Sequence, residues 1–261
     1  WTMKHIKRKF LSEVKLTDEQ LKLLEQSGRI VSDRESVKKV KVPKGMAAIL
    51  ITENKTGINA FIYNERNSQY FIPEPDPVLI YFNNAQANLR EIEESRTEMF
   101  NKLNVDGFVT TEIKHSLYQY FGSCSAYVIF LFTAIEATMN KSIPPSHEYR
   151  VDRPSRSELY NFEQIQKHIG FDEKLTKVLR QLTNKDFSKD HPKVYQHILN
   201  LKEFRDSIVH TKTESKDITP YGYIFKKALT FDYIKTIYAV RDFINYYQPG
   251  LIEQCDCGMD F

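Results

Sequence analysis

The chain has 261 residues, of which 41% are hydrophobic and 27% charged, with 37 basic residues nearly matched by 34 acidic ones. This length supports one large core or two modest ones, and the net charge of +3 permits nucleic-acid contact without requiring it. Three cysteines (Cys124, Cys255 and Cys257) exclude a disulfide framework and fit a reducing compartment.

Lys4 to Lys9 are basic without an apolar stretch behind them, so no secretory signal is read there, and Met3 reads as the natural start. Thr17-Asp18-Glu19-Gln20 is a capping box, with Leu16 and Leu21 placed as a hydrophobic staple. It predicts a helix over 18–28 with Leu21, Leu23 and Leu24 as its apolar side. Strands are expected at Val37, Val40 and Val42, at Ala48 to Ile51, and where Ile58, Ala60 and Ile62 alternate with Asn59, Phe61 and Tyr63. Gln69 to Ile72 adds a short edge strand. Asn54-Lys55-Thr56-Gly57 reads as a hairpin turn in which glycine takes a positive φ. Residues 1–77 are thus a small antiparallel α+β module. Pro73, Pro75 and Pro77 follow as a stiff connection that neither helix nor sheet uses.

From residue 83 to 250 the period is helical, with helices predicted over 84–104, 110–142, 157–169, 172–183, 191–211 and 230–247. Asp190 before His191-Pro192 reads as a helix cap. Residues 212–230 contain Pro220 and Gly222 and read as a loop, with room for a small hairpin at Tyr223 to Phe225. Residues 251–261 are a tail. Its Cys255-Asp256-Cys257-Gly258 is half of a zinc site at most, since no second Cys or His pair lies nearby. No metal and no cofactor is expected. Ala126 to Ile135 is far shorter than the ~20 residues of a membrane span, so the expected location is the cytoplasm, with no membrane partner.

The chemistry-bearing segment is Arg205-Asp206-Ser207-Ile208-Val209-His210. Ile198, Leu201, Phe204 and Ile208 form the apolar stripe of its helix, while Asp206 and His210 lie one turn apart outside that stripe, with Arg205 at its margin. Arg grips a phosphate through a planar fork. His moves a proton, and a carboxylate orients it. RNA brings its own nucleophile in the 2′-hydroxyl. Equally, Asp206 and His210 can simply pair on a solvated helix end. His115, His168 and His197 lack such partners. Arg90, Glu91, Glu93, Glu94, Arg96 and Glu98 read as a solvated charged face.

Leu201-Lys202-Glu203-Phe204-Arg205-Asp206-Ser207-Ile208-Val209-His210 resembles the signature helix of HEPN domains: Arg, a polar residue, then His after four to six residues. Phe130-Leu131-Phe132-Thr133-Ala134-Ile135-Glu136-Ala137-Thr138-Met139-Asn140 resembles the earlier long helix of many bacterial members, in which an apolar run ends in Glu-Ala and then Asn. The resemblance covers about residues 85 to 250. It implies an all-α helical bundle that forms a homodimer, both Arg/His motifs lining one cleft, and metal-independent endoribonuclease activity in toxin–antitoxin, anti-phage or CRISPR systems. Arg205, Asp206 and His210 would be catalytic and Glu136 and Asn140 supporting. RNA would be the substrate, with an antitoxin or regulatory partner possible. Other members of the family only bind. Glu136, ending an apolar run, needs a partner, either Arg205 across a helix pair or water and Lys at the bundle rim.

Overall fold

The computed structural model describes residues 11, 13–26, 48–52, 56–103, 110–211, 219 and 221–253. The architecture is α+β, and the chain divides into two compact units, Arg8–Asp76 and one that runs from Pro77 onward.

The smaller unit holds β1 (Glu13–Lys15), α1 (Asp18–Gln26), β2 (Ala48–Ile51), β3 (Thr56–Glu65) and β4 (Ser68–Pro73). The long β3 is central. β2 pairs along one edge, and β1 and β4 follow one another along the other, all antiparallel. The capping box forms at α1, where the Gln20 amide donates to Thr17 Oγ1 at 3.2 Å and the Thr17 amide to Gln20 Oε1 at 3.0 Å. Leu23 is solvent-exposed rather than on the apolar side, because it lies about 160° around the helix from Leu21. Gly57 also departs from expectation. It pairs with Ile51 inside the sheet, and only Gly250 among the described glycines has a positive φ. A Cβ on Gly57 would stand 3.0 Å from Ile49 and 3.1 Å from Leu16, so glycine serves close packing there. The strand expected around Val37 to Val42 lies outside the described residues.

In the larger unit, Pro77 is the first residue of α2 (Pro77–Lys102), where its fixed φ suits a helix start. Pro73 ends β4 and Pro75 bridges Leu11, so the three prolines are shared among sheet, bridge and helix rather than forming a spacer. α3 (Thr111–Lys141) packs along α2 and is the central helix, with Tyr120, Tyr127, Leu131 and Ile135 fully buried. It is long and apolar enough to cross a membrane, and 44% of its most apolar window is buried inside this protein.

This unit is not all-helical. β5 (Tyr149–Arg153) and β6 (Arg156–Tyr160) form a hairpin where the start of the 157–169 helix was expected, and α4 is only Phe162–His168. The ion pair from Arg153 on β5 to Glu158 on β6, at 2.9 Å, crosses the hairpin, and Arg156 on β6 adds a second cation to the same carboxylate at 2.5 Å. Asn161 begins α4 with a capping box. α5 starts as Phe171–Glu173, widens into a π-helical stretch at Lys174–Leu179 and ends as Arg180–Thr183. α6 (Phe187–Asp190), α7 (Pro192–His210), α8 (Gly222–Thr230) and α9 (Tyr233–Tyr247) complete the unit. The expected loop at 212–230 therefore contains a helix. Gly222 begins it because a Cβ would stand 2.6 Å from Thr219 Oγ1.

Candidate functional site

α7 carries the motif. Pro192 opens it, but Asp190 does not cap it; Asp190 ends α6 and accepts a short hydrogen bond from the Tyr246 hydroxyl. Ile198, Leu201 and Phe204 are buried as the wheel requires, followed by Ser207, while Ile208 is only half-buried. That face packs on α3 and α9.

Arg205 points toward α3. Its guanidinium lies over the Phe132 ring at 4.9 Å, with Glu136 Oε1 at 4.0 Å. Nη1 donates to Asp206 Oδ1 at 3.0 Å. The planar cation is thus held by a ring on one side and carboxylates on the other, in the manner suited to arginine. Glu136 has the partner that its place at the end of an apolar run demanded.

Asp206 does not orient His210. Its second oxygen, Oδ2, accepts from Lys202 Nζ at 3.2 Å, so both oxygens are taken by cations. Partial burial pushes this carboxyl up, but the hydrogen bonds from Arg205 and Lys202 outweigh it and hold it below the ordinary value. His210 ends the helix exposed to solvent, with no hydrogen bond or ion pair to any described residue. Thr211 follows at φ 42°, a left-handed conformation costly for a β-branched residue, and this strained residue ends the helix just after the histidine.

Asn140 joins the neighbourhood through a residue that the sequence did not single out. Lys174, buried in the π-helical stretch, donates from Nζ to Asn140 Oδ1 at 2.9 Å and to the Gln166 carbonyl at 3.2 Å. Burial lowers its pKa, and the Glu136 charge opposes that shift. Nothing in the sequence marks Lys174, because its burial follows from the wide turn that carries it inward. Lys202 was readable, standing one turn before Asp206. It also lies 4.0 Å from Asp172.

The other candidates stay apart. His115 and His168 are exposed and His197 is half-buried. The charged face of α2 is mostly solvated, with Arg90 and Glu94 paired at 3.4 Å. Arg96 is the exception, donating to the Tyr120 hydroxyl and the Leu229 carbonyl at 2.9 and 3.0 Å. Cys255, Cys257 and the basic residues Lys4 to Lys9 lie outside the described residues. The chain matches no family model, no curated protein and no solved structure.

Proposed function

We propose that the chain is a HEPN-type endoribonuclease that cleaves RNA without a metal, acts as a homodimer in the cytoplasm, and serves as a toxin or anti-phage effector under the control of a partner. One observation carries this reading: Arg205, held by Phe132 and Asp206, lies five residues before an exposed His210 that has no partner among the described residues, on one helix packed into the core. In the proposed reaction His210 takes the proton of the 2′-hydroxyl, whose oxygen attacks the adjacent phosphorus. The bond from phosphorus to the 5′-oxygen breaks, and the imidazole of a second copy of the chain gives that oxygen a proton. The products are a 2′,3′-cyclic phosphate and a 5′-hydroxyl end. Arg205 stabilises the extra charge on the phosphoryl oxygens. Asp206, bonded to Arg205 and Lys202, aims the guanidinium rather than the imidazole. Glu136 supports it from α3, and Asn140 on the same helix holds the neighbouring Lys174.

The saturation of Asp206 by two cations also favours a second reading, a non-catalytic module that binds nucleic acid or protein and uses these ion pairs structurally. Labelled RNA incubated with the purified protein in EDTA separates the two. Arg205→Ala and His210→Ala are each expected to slow cleavage by roughly a hundredfold or more, and a 2′-deoxy substrate is expected to stay intact. Equal cutting by wild type and both variants would mean that the nuclease is a contaminant.

A further inference from the structure

A cleft of about 430 Å³ lies beside the motif, floored by one face of α7: Leu199, then Lys202, then Asp206 and Ser207, one turn after another. His210 is the next turn of that face, four residues beyond Asp206. Asp172, at the start of α5, forms one wall, and Tyr223, on α8, forms another. The Tyr223 ring is 43% exposed, and its hydroxyl is fixed by donation to Glu203 at 2.9 Å. Lys227 braces the same Glu203 at 2.8 Å, so the ring is a steadied flat surface rather than a loose side chain. The Asp172 carboxylate accepts no hydrogen bond from any described residue, and its ion pair to Lys202 spans 4.0 Å.

Resting on the ribonuclease reading, we infer that this cleft receives the nucleoside next to the scissile phosphate and selects guanine. An aromatic face in a groove stacks any base; the walls decide which one. Asp172 offers two coplanar acceptors, and guanine is the base with two adjacent donors, N1–H and the N2 amino group, on its Watson–Crick edge. Guanine O6 lies beside those donors and faces the Lys202 ammonium. A base without the second donor gives up one of the two bonds to Asp172, a partly hydrated carboxylate whose side chain is 66% exposed, so the preference comes from the paired bond and is modest.

The test uses the full chain and two short RNAs that differ in one guanosine replaced by adenosine, with a third carrying inosine, which lacks the N2 amino group. Cleavage is followed on the ribo-oligomers, and binding on all-2′-deoxy versions by fluorescence anisotropy. Guanosine is expected to be favoured about tenfold, with inosine between. Asp172→Asn and Tyr223→Ala should each bring the guanosine-to-adenosine ratio toward one. Cutting that ignores the base, or a preference that survives both variants, overturns the cleft assignment and leaves the nuclease standing. Guanine-selective binding without cutting overturns the nuclease and leaves the cleft. Neither binding nor cutting overturns both.

Discussion

At Asp206 one carboxylate serves two cations, and that sets both its acidity and its task. Partial burial pushes its pKa up, and the hydrogen bonds and charges of Arg205 and Lys202 outweigh that and hold it below the ordinary carboxylate value. A depressed carboxylate stabilises the fold above its unfolded pKa, and that contribution is lost as pH falls through the folded value. Asp206→Asn should therefore cost on the order of 1 kcal/mol near neutrality, a size limited by solvent screening. The gap to wild type should close below about pH 4 in urea unfolding. A gap that is constant from neutral to acid pH would mean that the carboxylate charge contributes nothing. Lys174 and Lys202 act at the same scale, extending the alternation of charge so that Glu136, Arg205 and Asp206 each face an opposite sign.

Buried hydroxyls tie α3 to its neighbours. Tyr127 donates to the Tyr233 carbonyl at 2.6 Å and Tyr120 to the Ala228 carbonyl at 3.1 Å, fixing the motif-bearing core against α8 and the start of α9. Tyr127→Phe keeps the ring and removes one buried hydrogen bond, while the Tyr233 carbonyl keeps its place in the first turn of α9, so a loss of about 0.5–1.5 kcal/mol is expected in denaturant unfolding. A variant as stable as wild type would show that the bond contributes no net stability. Helices with a strong apolar stripe were legible in the sequence: α2, α3, α7 and α9 lie near where their spacing put them. α8 was hidden by Gly222, which reads as a loop former until Thr219 shows that it is there for lack of space. The β5–β6 hairpin was hidden because polar and charged cross-strand pairs, Arg153 with Glu158 and Ser157 with Asp152, rather than alternating apolar residues, hold it.

For the whole molecule, the proposed reaction requires two imidazoles, while one chain presents one His210, turned away from the α3 side where Arg205 is held. A functional enzyme is therefore expected to be a dimer. Sedimentation velocity should show self-association at micromolar concentration, and specific activity should fall on dilution as the dimer dissociates. Specific activity independent of concentration in a monomeric protein would sink the two-copy site.

The sequence by itself determined the α+β composition, the capping box at Thr17, the antiparallel strands from Ala48 to Pro73, and the placement of Arg205, Asp206 and His210 on one helix with Glu136 and Asn140 on an earlier one. These follow from periodicity and local hydrogen bonding, which act over a few residues. Only the tertiary structure decided which charges meet. Asp206 bonds Arg205 and Lys202 rather than His210, and Lys174 reaches Asn140 from 34 residues away. Helix spacing sets which side chains are neighbours on one element. Which of them form bonds depends on the helices packed opposite, and here these placed Phe132 and Glu136 against Arg205 and left His210 facing solvent.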